Sequence, residues 1–530
     1  MSPFLTAQGK WLFISGVIFT LMGAVVREPI LILFGQIPFV VLALALAMLM
    51  PAARSMDRRN CRFQMATDDP KKKVMTLRRD KELKASIWLE NFSGCGLRIL
   101  ELIPFVAGEI RADPVQSSFR VGGSQARLFD VSLLPNGIGR SSLQGFDVVL
   151  GDRWGLLAVR DYLPCVQVFE TYPSMSAGER RRANIRYQSA ARPVHTVDKR
   201  NRSGTDLREL RDFQPGDPLR TVAWKATIRQ RRLITREFDD ERAQVEYIAL
   251  DISSSMRAGT PKGEKFDHAI SMVAGLSSAY LEDGREVSLF SFDDGLYATI
   301  GAGRGQRQYR RIQWHLVGLN SVVESGRTAL DEESVENALA DYLLVQERLD
   351  FRHGAGLSGN LDRRLLRRWL RSKVRHEQEE WKSPAEAHGV LSEPVSDARR
   401  FFRLRAIPLA PHSEIRPGAK NNGIKSVLQE VIRSGARGGR LTIISDLCGL
   451  TDVDALQKYI RLAGQRGLEV RVLAPFTPYY GQNGENDPEA DQELIRQLFS
   501  IAERTDRLET ANHLVGMGVA VEFVGPDFLA

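Results

Sequence analysis

The chain has 530 residues, 26% charged and 43% hydrophobic, with a formal net charge of +8 and a pI near 9.3. That length holds roughly two to four domains with full cores, and the ordinary composition excludes wholesale disorder. Four scattered cysteines without a Cys-x-x-Cys pair exclude a disulfide scaffold and read as isolated thiols in a reducing compartment.

Two uncharged apolar runs open the chain, Trp11–Val26 and Ile30–Pro51. At about 1.5 Å per residue the second can cross a hydrocarbon layer of roughly 30 Å, and the first is slightly short. Arg27-Glu28-Pro29 separates them, which predicts two transmembrane helices forming a hairpin over residues 1–53. If the first run were a cleaved signal peptide, the second would still anchor the chain. Arg54, Arg58, Arg59 and Arg62, then Lys71-Lys72-Lys73, follow the second run. By the positive-inside rule that flank is cytoplasmic, so both termini and the soluble mass are expected inside.

Residues 64–172 read as short strands. Val74–Leu77, Leu83–Leu89, Gly96–Ile103, Ser118–Val121, Arg127–Leu133 and Phe146–Val149 are separated by turn signals such as Asn91-Phe92-Ser93-Gly94, Asp113-Pro114 and Asn136-Gly137. This spacing predicts an antiparallel β-sandwich. A basic connector follows at 173–243. Between residues 176 and 242, 17 Lys/Arg face 10 Asp/Glu, so most of the chain's charge excess is local. With no aromatic-interleaved binding motif beside it, the excess reads as a solvated face, and nucleic acid is not an expected partner.

From 244 to 530 the pattern becomes α/β. Glu246–Ile252, Glu286–Ser291, Arg440–Ile444, Glu469–Leu473 and Val519–Val524 are strand candidates, and Lys265–Leu281, Glu332–Arg348, Ile424–Ser434, Asp452–Ala463 and Glu489–Ala511 are amphipathic helices. The alternation predicts a doubly wound sheet that gathers ligands at the carboxyl ends of its strands. A charged insertion at about 351–417 interrupts it. Leu361, Leu365, Leu366, Trp369, Leu370 and Val374 mark one face of a helix there, with arginines on the rest. A packed helix with a solvated basic face accounts for it; an arm for an acidic partner or anionic headgroups is the sharper alternative.

The candidate site starts at Asp251-Ile252-Ser253-Ser254-Ser255, directly after the strand candidate Val245–Leu250. A strand ending in Asp-x-Ser-x-Ser brings one carboxylate and two hydroxyls to the mouth of a sheet, hard oxygen ligands suited to Mg²⁺ or Mn²⁺. Thr328 in Gly326-Arg327-Thr328-Ala329-Leu330 and Asp446 in Ile443-Ile444-Ser445-Asp446 complete the set. The five residues resemble the metal-ion-dependent adhesion site of von Willebrand factor A domains, which implies that the bound cation takes its last ligand from an acidic side chain of a partner.

A second resemblance is carried by Gly204-Thr205-Asp206-Leu207-Arg208-Glu209-Leu210-Arg211-Asp212-Phe213-Gln214-Pro215-Gly216-Asp217, running into Arg220-Thr221-Val222-Ala223-Trp224-Lys225, and by the turn Gly151-Asp152-Arg153-Trp154-Gly155-Leu156. These are similar to the signatures of the bacterial "domain of unknown function fifty-eight" family. Departures are Phe213 for Tyr, Arg153-Trp154 for Pro-Phe, and the insertion before Asp446. Pro215-Gly216-Asp217 reads as a turn and Trp224 as a core or interdomain anchor. The family resemblance implies a multi-pass protein of the bacterial inner membrane that works beside a MoxR-type AAA+ ATPase.

The expected function is therefore a non-enzymatic, membrane-anchored interaction protein that docks an acidic residue of that ATPase or its client through a divalent cation, in protein assembly or maturation. A metal-dependent hydrolase is the alternative from another class, but no His-Glu-x-x-His, Gly-x-Ser-x-Gly or P-loop accompanies the site. An extracytoplasmic adhesin is opposed by the positive flank after the second apolar run.

Overall fold

The computed structural model describes residues 3–525 apart from 57–59, 67–73, 80, 116–117, 174–205, 215–221, 240–244, 258–263, 321, 323–324, 348, 354–358, 378–394, 413–416, 436–437 and 477–504. It is a mixed α/β chain with two apolar N-terminal helices and antiparallel sheets. Its contacts divide it into two compact units, Met1–Ser174 with Gln313–Glu414, and Met175–Ile312 with Ile415–Ala530.

In the first unit, strand Pro3–Leu5 leads into helices Ala7–Val26 and Pro29–Ser55, both long and apolar enough to cross a membrane. Thr6 caps the first helix, accepting from the Gly9 N–H at 3.2 Å. Pro29 opens the second, where its missing N–H costs nothing. The helices approach closely through glycines: a Cβ on Gly16 would meet Pro38 at 3.0 Å, and one on Gly35 would meet the Thr20 nitrogen at 2.6 Å. With Gly23 facing Ile32 as well, the pair is antiparallel, and Lys10 lies level with about residue 45. Beyond that level Ala45, Leu49, Ala53 and Met56 are buried in the core of the β-sheets. The last turns of the second apolar run thus root the hairpin in the β-unit. Trp11–Val26 then extends roughly 24 Å beyond that level.

Two sheets share that core. One orders Pro3–Leu5, Leu157–Tyr172, Gly139–Gly151, Leu97–Ala107 and Phe119–Val121, with Val74–Arg78 paired in parallel to Leu157–Tyr172. The other orders Cys61–Met65, Leu83–Asn91, Gln125–Pro135 and Ile110–Ala112. Alternate residues meet between them: Phe63, Ile87 and Val131 from one layer, Ile99, Phe146 and Leu150 from the other. Phe63 and Phe146 lie 4.7 Å apart, centroid to centroid. The longest strand, Leu157–Tyr172, escaped the sequence pattern because it contains Pro164. A register shift between Pro164 and Gln167 accommodates that proline.

Residues 313–414 add helices Glu332–Val345, Arg363–Glu377 and Asp397–Leu404. Val335, Leu339, Leu366, Leu370, Val374 and Phe401 close a second apolar core among them. Leu365, expected on the inner face of the middle helix, is 44% exposed instead. Polar ties join these helices to strand Gly139–Gly151: the Tyr342 hydroxyl donates to Gln144 Oε1 at 2.8 Å, and Ser142 Oγ donates to the Arg405 carbonyl at 2.7 Å. For that reason residues 313–350, which the sequence pattern grouped with the α/β region, belong with the β-rich unit.

The second unit holds a sheet ordered Leu296–Gly303, Glu286–Phe292, Val245–Asp251, Arg440–Ile444, Glu469–Pro475, Ala520–Val524. Every neighbouring pair is parallel except the first, whose antiparallel edge strand the sequence pattern did not show. Tyr247 and Ala249 share a core with Ile424 and Val427 of helix Ala419–Arg433 and with Leu456 and Ile460 of helix Asp454–Gln465. Ile248 and Leu250, on the opposite face, are fully buried too, and helix Glu264–Glu282 packs against the same strand. The strand order reverses between Val245–Asp251 and Arg440–Ile444, so their carboxyl ends flank one crevice.

Upstream in this unit, strands Asp206–Asp212 and Ile234–Asp239 pair as a hairpin around helix Trp224–Gln230. Trp224 is 58% exposed within it, not a core anchor, because it opens a helix none of whose residues is buried. Pro215-Gly216-Asp217 and Arg220 lie outside the described residues, as does the start of the helix expected at 489–511; residues 505–516 are helical.

Candidate functional site

The crevice at the reversal point gathers four of the five predicted ligands. Asp251 ends the central strand, and Ser253 and Ser255 follow in a turn that enters the short helix Ser254–Met256. Asp251 Oδ1 accepts from the Ser253 N–H at 2.9 Å and Oδ2 from Ser445 Oγ at 2.7 Å. Asp446 Oδ1 accepts from Ser255 Oγ at 3.0 Å and from the Cys448 N–H at 3.1 Å. Ser253 Oγ and Ser255 Oγ lie 3.1 Å apart. Asp251 and Asp446 are both fully buried.

A lysine stands between the two carboxylates. Lys420 Nζ lies 2.7 Å from Asp251 Oδ2 and also contacts Asp446 Oδ1. Lys265 Nζ binds Asp446 Oδ2 at 2.9 Å, and Arg507 Nη2 lies 4.0 Å from the same oxygen. All three cations are 3% exposed or less. Lys420 sits in the first turn of its helix, where the macrodipole disfavours a cation, so the carboxylates must overcome both that and desolvation. Gly423 lets the helix come close enough: a Cβ there would meet the Asp293 carbonyl at 2.2 Å.

The titration behaviour follows from this geometry. Burial lowers the Lys420 pKa, but Asp251 and Asp446 more than reverse the effect and push it up to about 12. Burial would raise Asp446, yet Lys420, Lys265 and Arg507 hold it well below the usual carboxylate range. Lys265 is pushed down by burial despite Asp446.

These residues do not fit a divalent cation in this arrangement. Two carboxylates already face three cationic side chains. Adding Mg²⁺ or Mn²⁺ would put two further positive charges into a water-excluded cluster, against a desolvation cost of several kcal/mol per ion. The ammonium of Lys420 takes up the carboxylate oxygens that such a metal would need. Thr328 is in the other unit, where its hydroxyl accepts from Arg399 Nη1 and donates to the Leu330 carbonyl at 3.2 Å.

Lys420 and Lys265 were missed from sequence, although a signal was present. Lys420 falls on the stripe of Ile424, Val427, Leu428 and Val431, and Lys265 on that of Ala269, Met272 and Leu276. A lysine in line with a helix's apolar face is buried with a partner or it is misplaced.

Residues 209–344 match the family model described as "Protein of unknown function DUF58". The match takes in most of the hairpin of strands Asp206–Asp212 and Ile234–Asp239, with Asp251, Ser253, Ser255 and Thr328, and stops short of Lys420 and Asp446. "Uncharacterized protein YeaD" of Bacillus subtilis (strain 168) is 22% identical over 254 residues, 44% of this chain and 57% of that protein. The aligned stretch thus spans little more than half of that relative's length. Among solved structures, the secreted serine protease VesC from Vibrio cholerae is 12% identical, covering 26% of this chain and 27% of its own at a TM-score of 0.16. WR4, a C. elegans MSP family member, is 9% identical, covering 19% and 93% at 0.14. At such scores neither likeness bears on fold or function.

Proposed function

We propose that this protein is a membrane-anchored, non-enzymatic interaction module whose second-unit sheet is von Willebrand A-like and docks an acidic group of a partner. The observation that carries the reading is the positive surplus locked at the strand ends, where Lys265, Lys420 and Arg507 surround Asp251 and Asp446. The cluster is closed to solvent. Its part is to hold the turns after Asp251 and Asp446 in one shape while its net charge favours an acidic ligand at their outer edge. Lys420 supplies the positive charge that a metal would otherwise bring, so docking is expected to need no divalent cation. The family resemblance suggests a MoxR-type AAA+ ATPase, or its client, as partner. The two apolar helices support membrane anchorage, the basic flank from Arg54 to Lys73 supports a cytoplasmic side for the soluble units, and the family resemblance suggests the bacterial inner membrane.

The test is titration of the full chain in nanodiscs with a MoxR-type ATPase, with and without EDTA. Binding that resists EDTA and weakens in Lys265→Gln supports the reading. Binding abolished by EDTA restores the metal bridge, and binding unchanged in every cluster variant sinks the docking site. Metal-dependent turnover in a phosphoesterase and peptidase screen, lost in Asp446→Asn, would favour the hydrolase.

A further inference from the structure

The turn that follows strand Gly139–Gly151 is built more rigidly than a simple connection requires. The buried carboxylate of Asp152 accepts from the Trp154 N–H at 2.8 Å, the Leu156 N–H at 2.7 Å and the Leu157 N–H at 2.8 Å. Arg98 Nη1 donates to the carbonyls of Asp152 at 2.9 Å and Arg153 at 2.6 Å. Gly155, at φ +74°, supplies the left-handed residue the turn needs. So fixed, the turn leaves Arg153 exposed and Trp154 44% exposed.

The inner edge of the same turn is bonded to the foot of the first apolar helix. The Thr6 N–H donates to the Leu156 carbonyl at 3.0 Å, and Thr6 Oγ1 donates to the Gly155 carbonyl at 2.6 Å. A Cβ on Gly9 would meet the Leu156 carbonyl at 2.0 Å, so the contact depends on glycine there. Strand Pro3–Leu5 pairs with Leu157–Val159 just beyond. The turn therefore lies within about one helical turn of Lys10 and Trp11, both exposed and both at the polar end of the apolar run.

We infer that the turn Asp152–Leu157 seats the first unit on the membrane surface, with Trp154 in the headgroup layer and Arg153 on the phosphates of anionic phospholipid. The inference rests on the membrane-anchored reading above. A residue tied to the start of a membrane helix has its height fixed by that helix, and this height is where amphipathic indole rings are favoured. The exposed arginine beside it, with Lys10 at the same level, matches the negative surface of a cytoplasmic leaflet. Two bonded points, the hairpin and this turn, then hold the unit at one distance from the bilayer.

The full chain is reconstituted in nanodiscs carrying lipids brominated near the headgroup, and Trp154 emission is isolated as the difference between the native chain and Trp154→Phe. Trp11→Phe reports the hairpin in the same way. We expect the Trp154 component to be quenched by shallow bromines, more in phosphatidylglycerol than in phosphatidylcholine discs, with the lipid preference lost in Arg153→Gln. An unquenched Trp154 beside a quenched Trp11 overturns the inference and leaves the anchor standing. If both are unquenched and alkaline carbonate extracts the chain, the anchor itself has failed. Quenching equal in the two lipids refutes the phosphate contact of Arg153.

Discussion

Replacing Lys420 by Met tests the reading of the strand-end cluster most directly. Removing one member of a buried ion pair costs about 3–5 kcal/mol, because the partner is left charged and dry. Here Asp446 keeps Lys265 at 2.9 Å and Ser255 Oγ at 3.0 Å, and Asp251 keeps the Ser445 hydroxyl and the Ser253 N–H. Methionine also fills the volume of the lysine stem. The low end, about 3 kcal/mol, is the appropriate figure. At roughly 2–4 °C per kcal/mol for a unit of this size, the melting temperature falls by about 6–12 °C. The same substitution exposes two carboxylates and two serine hydroxyls to any divalent cation. At ten times its Kd, Mg²⁺ would return about 1.4 kcal/mol to the variant by mass action. Calorimetry of the full chain in detergent, in Mg²⁺ and in EDTA, reads both effects. The native chain should melt identically in the two buffers, while Lys420→Met melts lower and recovers partly in Mg²⁺. A Mg²⁺-dependent rise in the native chain, or a variant as stable as the native chain, would refute the assignment of Lys420 as the resident cation.

Further outcomes follow from this cluster and from buried groups of the first unit. The Lys420 pKa is raised above its ordinary 10.5, so its contribution is complete below that pH and is lost as pH rises through about 12; that of Asp446, depressed from 3.8, is lost only as pH falls below that value. The melting difference between the native chain and Lys420→Met, which leaves the Lys265–Asp446 pair in place, should therefore stay constant from about pH 5 to 8, and a difference that titrates near neutrality would contradict this. Arg399, 1% exposed, holds Glu332, Thr328 and the Leu330 carbonyl; Arg399→Leu should cost about 2–4 kcal/mol in urea unfolding, whereas adding Thr328→Val to Lys420→Met should leave the Mg²⁺ recovery of that variant unchanged, and loss of the recovery would return Thr328 to the site. Burial pushes the Cys165 thiol up to about 12, which leaves about one thiolate in ten thousand at pH 8, so maleimide should label it only on unfolding and far more slowly than Cys95.

The parts of this molecule that were legible in sequence are those set by local pattern. Short apolar runs between turn signals marked most strands of the first unit, continuous apolar runs marked most of those in the second, and two long uncharged runs marked the helical hairpin. Asp251 and Asp446 could be paired across 195 positions because both follow strand candidates and match one known ligand set, and the structure brings them together where the sheet order reverses. What was not legible is the counter-charge. An Asp-x-Ser-x-Ser turn shows that a cation is wanted, but a metal, an ammonium or a guanidinium can each meet that demand. Lys420 and Lys265 betray themselves by lying on apolar stripes, whereas Arg507 has no local mark that ties it to Asp446. Thr328 shows the same limit from the other side. Its loop has the residue type and chain order of a ligand, but its hydroxyl is taken by Arg399, which lies 71 residues further along. A ligand pattern read from sequence therefore specifies the oxygens of a site, and only the long-range packing of buried cations decides what those oxygens hold.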